Sequence, residues 1–136
     1  LAAQGHGAVI NIASILGLTP EFGYAVYGAT KAFIISFSQS LNLSLGAKGV
    51  YVQAVLPAAT RTEIWDVAGV DVNTVPGVMA VEDLVDAALA GFDGHEAVTI
   101  PPLQDESQWL AYEGARKAML GSFQQDKPAP RYTAKK

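Results

Sequence analysis

Tyr27 and Lys31, four residues apart in Tyr-Gly-Ala-Thr-Lys, are the side chains of this sequence best suited to moving a proton. Four residues make about one helical turn, so on a helix the phenol and the ammonium share a face, where a fixed positive charge favours phenolate over phenol. A tyrosine placed in this way can exchange a proton near neutral pH. Ser14, thirteen positions before Tyr27, adds a hydroxyl just past an apolar segment. Taken singly, each residue has a plainer reading. Tyr27 could be a half-buried aromatic, Lys31 a lysine laid along a helix, and Ser14 a loop serine bonded to backbone. Against the plainer reading of Lys31 stands the apolar run that follows it, Ala32-Phe33-Ile34-Ile35, in which a charge needs a purpose.

The surrounding pattern offers elements that could hold these groups together. Residues 8–12 (Ala-Val-Ile-Asn-Ile) read as a short buried strand and residues 50–56 as a second one. Between them, Gly17, Pro20 and Gly23 mark residues 14–24 as a loop, and a helix begins at residue 25 or 26 and runs to about 45. Ile34, Phe37, Leu41 and Leu45 form its apolar stripe, widened by Phe33 and Ile35, so little of it is expected to face water. Gly46 and Gly49 stop it.

A strand, a helix and a strand imply a parallel pair, and ligands of open α/β sheets bind beyond the carboxyl ends of the strands. Ser14 and Pro57 fall at those ends and Tyr27 opens the crossover helix, so three segments are expected to converge on one crevice. Downstream, Pro57-Ala58-Ala59-Thr60-Arg61-Thr62 reads as a turn of small and hydroxyl residues, and residues 63–78, without clear period, as a mobile lid. A helix over 81–92 with Val81, Leu84, Val85, Ala88 and Leu89 on its apolar face is expected to cover the sheet. A short strand at 97–100 and a final helix over 104–123, carrying Trp109, Leu110, Tyr112 and Met119, complete the pattern. The proline-bearing tail, residues 124–136, reads as a loosely held arm.

Composition narrows the function. Half of the 136 residues are apolar, enough for a sizeable core, and the net charge of -4 without a Lys/Arg stripe argues against nucleic acid as a partner. The absence of cysteine excludes disulfides, thiolate metal sites and thiol catalysis, and it fits a reducing compartment, with cytoplasm the expected location. No apolar run reaches the length of a membrane span and no segment has the pattern of a signal peptide, so no membrane association is expected. His6 and His95 lack a carboxylate or second histidine at ligand spacing, so no metal site is expected.

The ordered set resembles the short-chain dehydrogenase/reductase family over roughly residues 5–100. It comprises Val9-Ile10-Asn11-Ile12-Ala13-Ser14 running to Gly17, then Tyr27-Gly-Ala-Thr-Lys31, then Leu56-Pro57 leading to Thr62. The resemblance implies an α/β fold, the carboxyl-terminal part of a doubly wound, three-layer Rossmann-like parallel sheet. Residues 1–123 would form the carboxyl-terminal half of one such domain.

The family also implies an NAD- or NADP-dependent oxidoreductase acting on a small-molecule alcohol or ketone. In it Tyr27 is general acid and base, and Lys31 tunes Tyr27 and bonds the nicotinamide ribose. Ser14 holds the substrate oxygen, while Pro57, Ala58, Thr60 and Thr62 hold the nicotinamide end. A homodimer or homotetramer is implied too. Ala58 stands where the family usually places glycine. The family's glycine-rich turn, its ribose-reading residue and an upstream asparagine would all precede Leu1. The chain therefore looks like half of a longer enzyme, inactive alone.

Two other functions stay open. One is a catalytically inactive relative serving as a binding or regulatory subunit. The other is a serine hydrolase built on Ser14, which the absence of a Gly-x-Ser-x-Gly elbow and of a placed histidine base opposes.

Overall fold

In the computed structural model, which describes residues 1–62 and 64–133, strand β1 (Gly7–Ile12) leads through two 3-10 turns, Ile15–Gly17 and Pro20–Phe22, into helix α1 (Ala25–Gly46). The helix returns the chain to strand β2 (Val50–Val55), which pairs in parallel with β1 from Gly7↔Val50 to Ile12↔Val55. This is the strand–helix–strand unit expected from the pattern. The turn into β2 depends on Gly49, whose φ is 78° and whose added Cβ would lie 2.1 Å from the Gly5 carbonyl oxygen. Both the left-handed backbone and the close approach require glycine.

Beyond β2 the chain forms β3 (Thr60–Arg61), α2 (Ile64–Val67), β4 (Met79–Ala80) and α3 (Val81–Asp93), then β5 (Val98–Thr99). β5 pairs in parallel with the other edge of β2, giving the order β1-β2-β5, while β3 and β4 form a separate two-stranded parallel ladder. β2 is thus central. Val50, Val52, Ala54, Val55 and Leu56 are all buried there, which is why this run is almost continuously apolar. Trimming the fully buried Leu56 to alanine would cost about 2–5 kcal/mol.

Alternation along the strands assigns the two faces. Asn11, Val52 and Ala54 face α1, and Gln53 and Val55 face α3, where Gln53 Nε2 donates to the Ala88 carbonyl (3.0 Å) and to Thr99 Oγ1 (2.7 Å). Helix, sheet and helix make three layers. On the α3 face Ile10 and Ile12 of β1 are exposed, so β1 is covered on one side only, where the sequence suggested a buried strand. A mostly apolar run does not say which of its faces is covered.

α1 brings a second correction. Its buried residues are Ile35 and Ser38, whereas Phe33 and Phe37 of the expected core stripe stack on each other at 5.5 Å in exposed positions. The helix is apolar on several sides, so periodicity alone left its rotation open. Polar pairing decides it: Asn11 Nδ2 donates to Ser38 Oγ at 2.9 Å, and Asn42 Oδ1 accepts the Val52 N–H at 2.9 Å, beyond the reach of the two-residue β5.

The segment read as a lid contains α2, a 3-10 turn at Val72–Thr74 capped by Asp71, and β4; Glu63, where that reading began, lies outside the described residues. α3 matches its expected span closely and β5 is shorter than expected.

The chain divides into two compact units, Leu1–Pro102 and Leu103–Lys136, and the last three residues of the expected tail, 134–136, lie outside the described residues. The second unit is built on α4 (Glu106–Ala118), followed by a 3-10 turn at Leu120–Ser122 and the single turn α5 (Pro130–Thr133). Asp105 caps α4 by accepting the hydroxyl (2.6 Å) and the N–H (3.0 Å) of Ser107, and these bonds hold its carboxyl below the usual range. Arg116 and Lys117 complement the dipole in the last turn. Met119 caps this helix, which is shorter than the sequence suggested. No helix among the described residues is long and apolar enough to cross a membrane.

Candidate active site

β1 delivers Ser14 just past its carboxyl end. The residue is buried, and its Oγ accepts the Leu16 N–H at 3.0 Å to cap the Ile15–Gly17 turn. Acting as acceptor in this way leaves the hydroxyl proton for another group. The turn is held from two sides. Ile15 N–H donates to the Pro57 carbonyl at 3.0 Å, joining it to the loop after β2. On the other side Gly17 lies flat on α1, where an added Cβ would come within 2.8 Å of the Ala32 nitrogen and 2.9 Å of the Lys31 carbonyl carbon. Only a residue without a side chain lets the turn approach the helix so closely.

Tyr27 and Lys31 lie in the first turns of α1, the second of them on the backbone stretch that Gly17 approaches. Tyr27 is half exposed, and the Lys31 ammonium sits over its ring, 5.4 Å from the centroid. At that distance a cation is drawn to the ring face, and each side chain restrains the other. Tyr27 and Lys31 lie on the same stripe as Ile35, Ser38 and Asn42, the side turned to the sheet. A shallow apolar hollow lined by Ala25, Val26, Ala29, Thr30 and Phe33 lies on a different side of the helix and has no part in this arrangement.

The Pro57–Thr62 loop follows the carboxyl end of β2. Its carbonyls are occupied in sequence: Pro57 by Ile15, Ala58 by the Thr60 hydroxyl (3.0 Å), Ala59 by the Met79 N–H (2.9 Å) and Thr60 by the Trp65 indole N–H (2.6 Å). Thr62 is exposed. The Ser14 turn is therefore bonded to the Pro57 loop and packed against α1 at Lys31, so the three segments named from sequence meet.

His6 precedes β1 and His95 precedes β5, so both stand at the amino ends of strands, opposite Ser14; this placement gives a Ser14 hydrolase no histidine base. Among the described residues no three His, Cys, Asp or Glu side chains gather as metal ligands.

Sequence reasoning passed over Asn11, Ser38, Asn42 and Trp65. For the first three a signal existed: polar residues inside otherwise apolar strand and helix runs must find partners. Trp65, in an aperiodic stretch, gave none.

The family model for short chain dehydrogenases matches residues 1–73, which contain Ser14, Tyr27, Lys31 and the Pro57–Thr62 loop. A very-long-chain 3-oxoacyl-CoA reductase of Rattus norvegicus is 39% identical over 64 residues, which are 47% of this chain and 20% of that protein. Two solved structures extend the likeness along nearly the whole chain. A short-chain dehydrogenase from Sphingobium yanoikuyae in complex with NADPH is 57% identical with a TM-score of 0.89, covering 94% of this chain and 50% of that one. A bulky-bulky ketone specific alcohol dehydrogenase from Comamonas testosteroni is 50% identical with a TM-score of 0.85, covering 98% of this chain and 49% of that one. The chain spans about half the length of these solved relatives.

Proposed function

Because this chain belongs to the short-chain dehydrogenase family, we propose that it carries the proton-transfer and substrate side of an NAD(P)-dependent oxidoreductase that reduces ketones, or oxidises the corresponding alcohols. The observation that carries this reading is the Lys31 ammonium held 5.4 Å above the Tyr27 ring on the helix face against which the Ser14 turn packs.

Ser14, its Oγ already engaged as acceptor, turns its proton to the substrate oxygen and holds it for Tyr27. Tyr27 gives its phenolic proton to that oxygen in reduction and recovers it from the alcohol in oxidation. Lys31 places positive charge where negative charge develops on the phenol oxygen, and its ammonium reaches the ribose hydroxyls. When bound, the nicotinamide cofactor supplies or accepts the hydride. Pro57, Ala58, Thr60 and Thr62 hold its nicotinamide end, with Thr62 on the carboxamide or phosphate.

The Sphingobium likeness favours NADPH, and the Comamonas likeness favours a ketone with large groups on both sides, shaped by residues 64–80. A homodimer or homotetramer belongs to the same reading, with exposed Val26, Phe33 and Phe37 as available surface; sedimentation as a monomer would remove that element.

The test is NADPH consumption by the full-length protein with a diaryl ketone, wild type against Tyr27→Phe. The phenol accounts for about 10²–10⁴-fold in rate, so a loss of that size is expected. Equal rates would remove Tyr27 from the chemistry, and no turnover by either protein would favour the catalytically inactive relative.

A further inference from the structure

Asn11 lies on β1 three residues before Ser14, and Ser38 lies on α1 seven residues after Lys31. Ser38 is 0% exposed, and Asn11 Nδ2 donates to its Oγ at 2.9 Å. Because β1 and β2 are parallel, α1 runs back against the direction of β1. Three strand residues rise about 10 Å and seven helical residues about 10.5 Å. The leg from Asn11 to Ser14 therefore matches the leg from Ser38 to Lys31. At the far end of both legs Gly17 closes on Lys31 and Ala32.

A helix held on a sheet by apolar contact alone can slide or roll at little cost, since dispersion has no preferred direction. A hydrogen bond does have one, and shifting the helix would leave the part-buried Asn11 donor and the buried Ser38 hydroxyl without each other. The Asn42 bond to Val52 N–H, on the same side of α1, adds a second fixed point that sets rotation.

We propose that the Asn11–Ser38 bond is a positioning device for the crevice, setting the axial register of Tyr27 and Lys31 against Ser14. The inference rests on the function proposed above. Neither residue meets the substrate; both act through the placement of those that do. The bond is worth more to rate than to stability, because a displacement of about 1 Å between reacting groups costs on the order of 100-fold.

The test replaces both partners together. Asn11→Leu/Ser38→Ala in the full-length protein removes the bond while leaving no orphaned donor, an exchange that is close to neutral for folding. The double variant is expected to keep its thermal midpoint and its NADPH dissociation constant, and to lose about 10- to 100-fold in kcat for ketone reduction. Ser38→Ala alone should fall by a similar factor and Ser38→Thr, which keeps the hydroxyl, should recover most of it. Should Ser38→Ala or Ser38→Thr not fold, Asn11→Leu, which lets Ser38 bond its own helix backbone, provides the same comparison.

A double variant with wild-type kcat would overturn the proposal, as would a loss confined to KM or to cofactor binding. Wild-type protein that moves no hydride would instead sink the proposed function, and this inference with it; an active wild type with unaffected variants sinks the inference alone.

Discussion

Ser14, Tyr27 and Lys31 stand on elements fixed by repetition: a six-residue parallel ladder, a 22-residue helix and glycine contacts between backbones. Residues 64–80 are held differently. One four-residue helix, one 3-10 turn and a two-residue strand are tied back by the Trp65 indole and the Met79 N–H. Under the proposed function the contrast divides the labour: proton transfer would fall to rigid scaffold and substrate choice to a segment with few restraints, where a change of side chain disturbs little else.

That division can be sharpened or broken. The largest effect is expected at Tyr27→Phe, about 10²–10⁴-fold in kcat with little change in KM, read from steady-state kinetics of the full-length protein. An equal effect on KM would blur the two regions. Next comes Gly17→Ala. Its Cβ would crowd the backbone at Lys31 and Ala32, forcing the Ser14 turn off α1, at a cost of about 1–3 kcal/mol in denaturant unfolding together with a fall in kcat. A stable, fully active variant would show that the close approach is unnecessary.

Trp65→Phe should do the reverse of Tyr27→Phe. Losing one hydrogen bond of about 0.5–1.5 kcal/mol to the Thr60 carbonyl should raise KM for a large ketone about 3- to 10-fold and leave kcat nearly unchanged. A kcat defect of that size or more would place Trp65 with the rigid half.

The smallest effect lies outside both regions. Tyr51 donates its hydroxyl to the Glu96 carbonyl and packs against Phe92 and His95, and burial, then the Glu96 carboxylate, raises its pKa above the ordinary 10.0. The folded state holds this proton more tightly than the unfolded one. Its contribution is therefore full below about pH 10 and is lost as pH rises through the folded-state value. Wild type should lose stability more steeply above pH 10 than Tyr51→Phe, and parallel unfolding curves would refute this.

Much of the architecture was legible from local pattern. Gly49 and the β-branched runs at 9–12 and 50–55 announce a strand–helix–strand unit, and its topology places Ser14, Tyr27 and Pro57 at one end of a sheet. What was not legible concerns rotation and coverage. Phe33 and Phe37 are as apolar as Ile35, so nothing in their type says that Ile35 is buried and they are exposed. Ile10 and Ile12 likewise read as core, yet the face they share has no cover beside α3.

Residue type and spacing alone determined that a phenol, an ammonium and a hydroxyl belong near the carboxyl ends of two parallel strands, because helical and strand periods are local properties of the backbone. Only tertiary packing decided which side of α1 meets the sheet, and with it where Tyr27 and Lys31 stand relative to Ser14. The reason is that apolar attraction ranks residues without orienting them. Orientation came from directional bonds between distant positions, Asn11 with Ser38 and Asn42 with Val52, whose partners lie 27 and 10 residues apart in the chain.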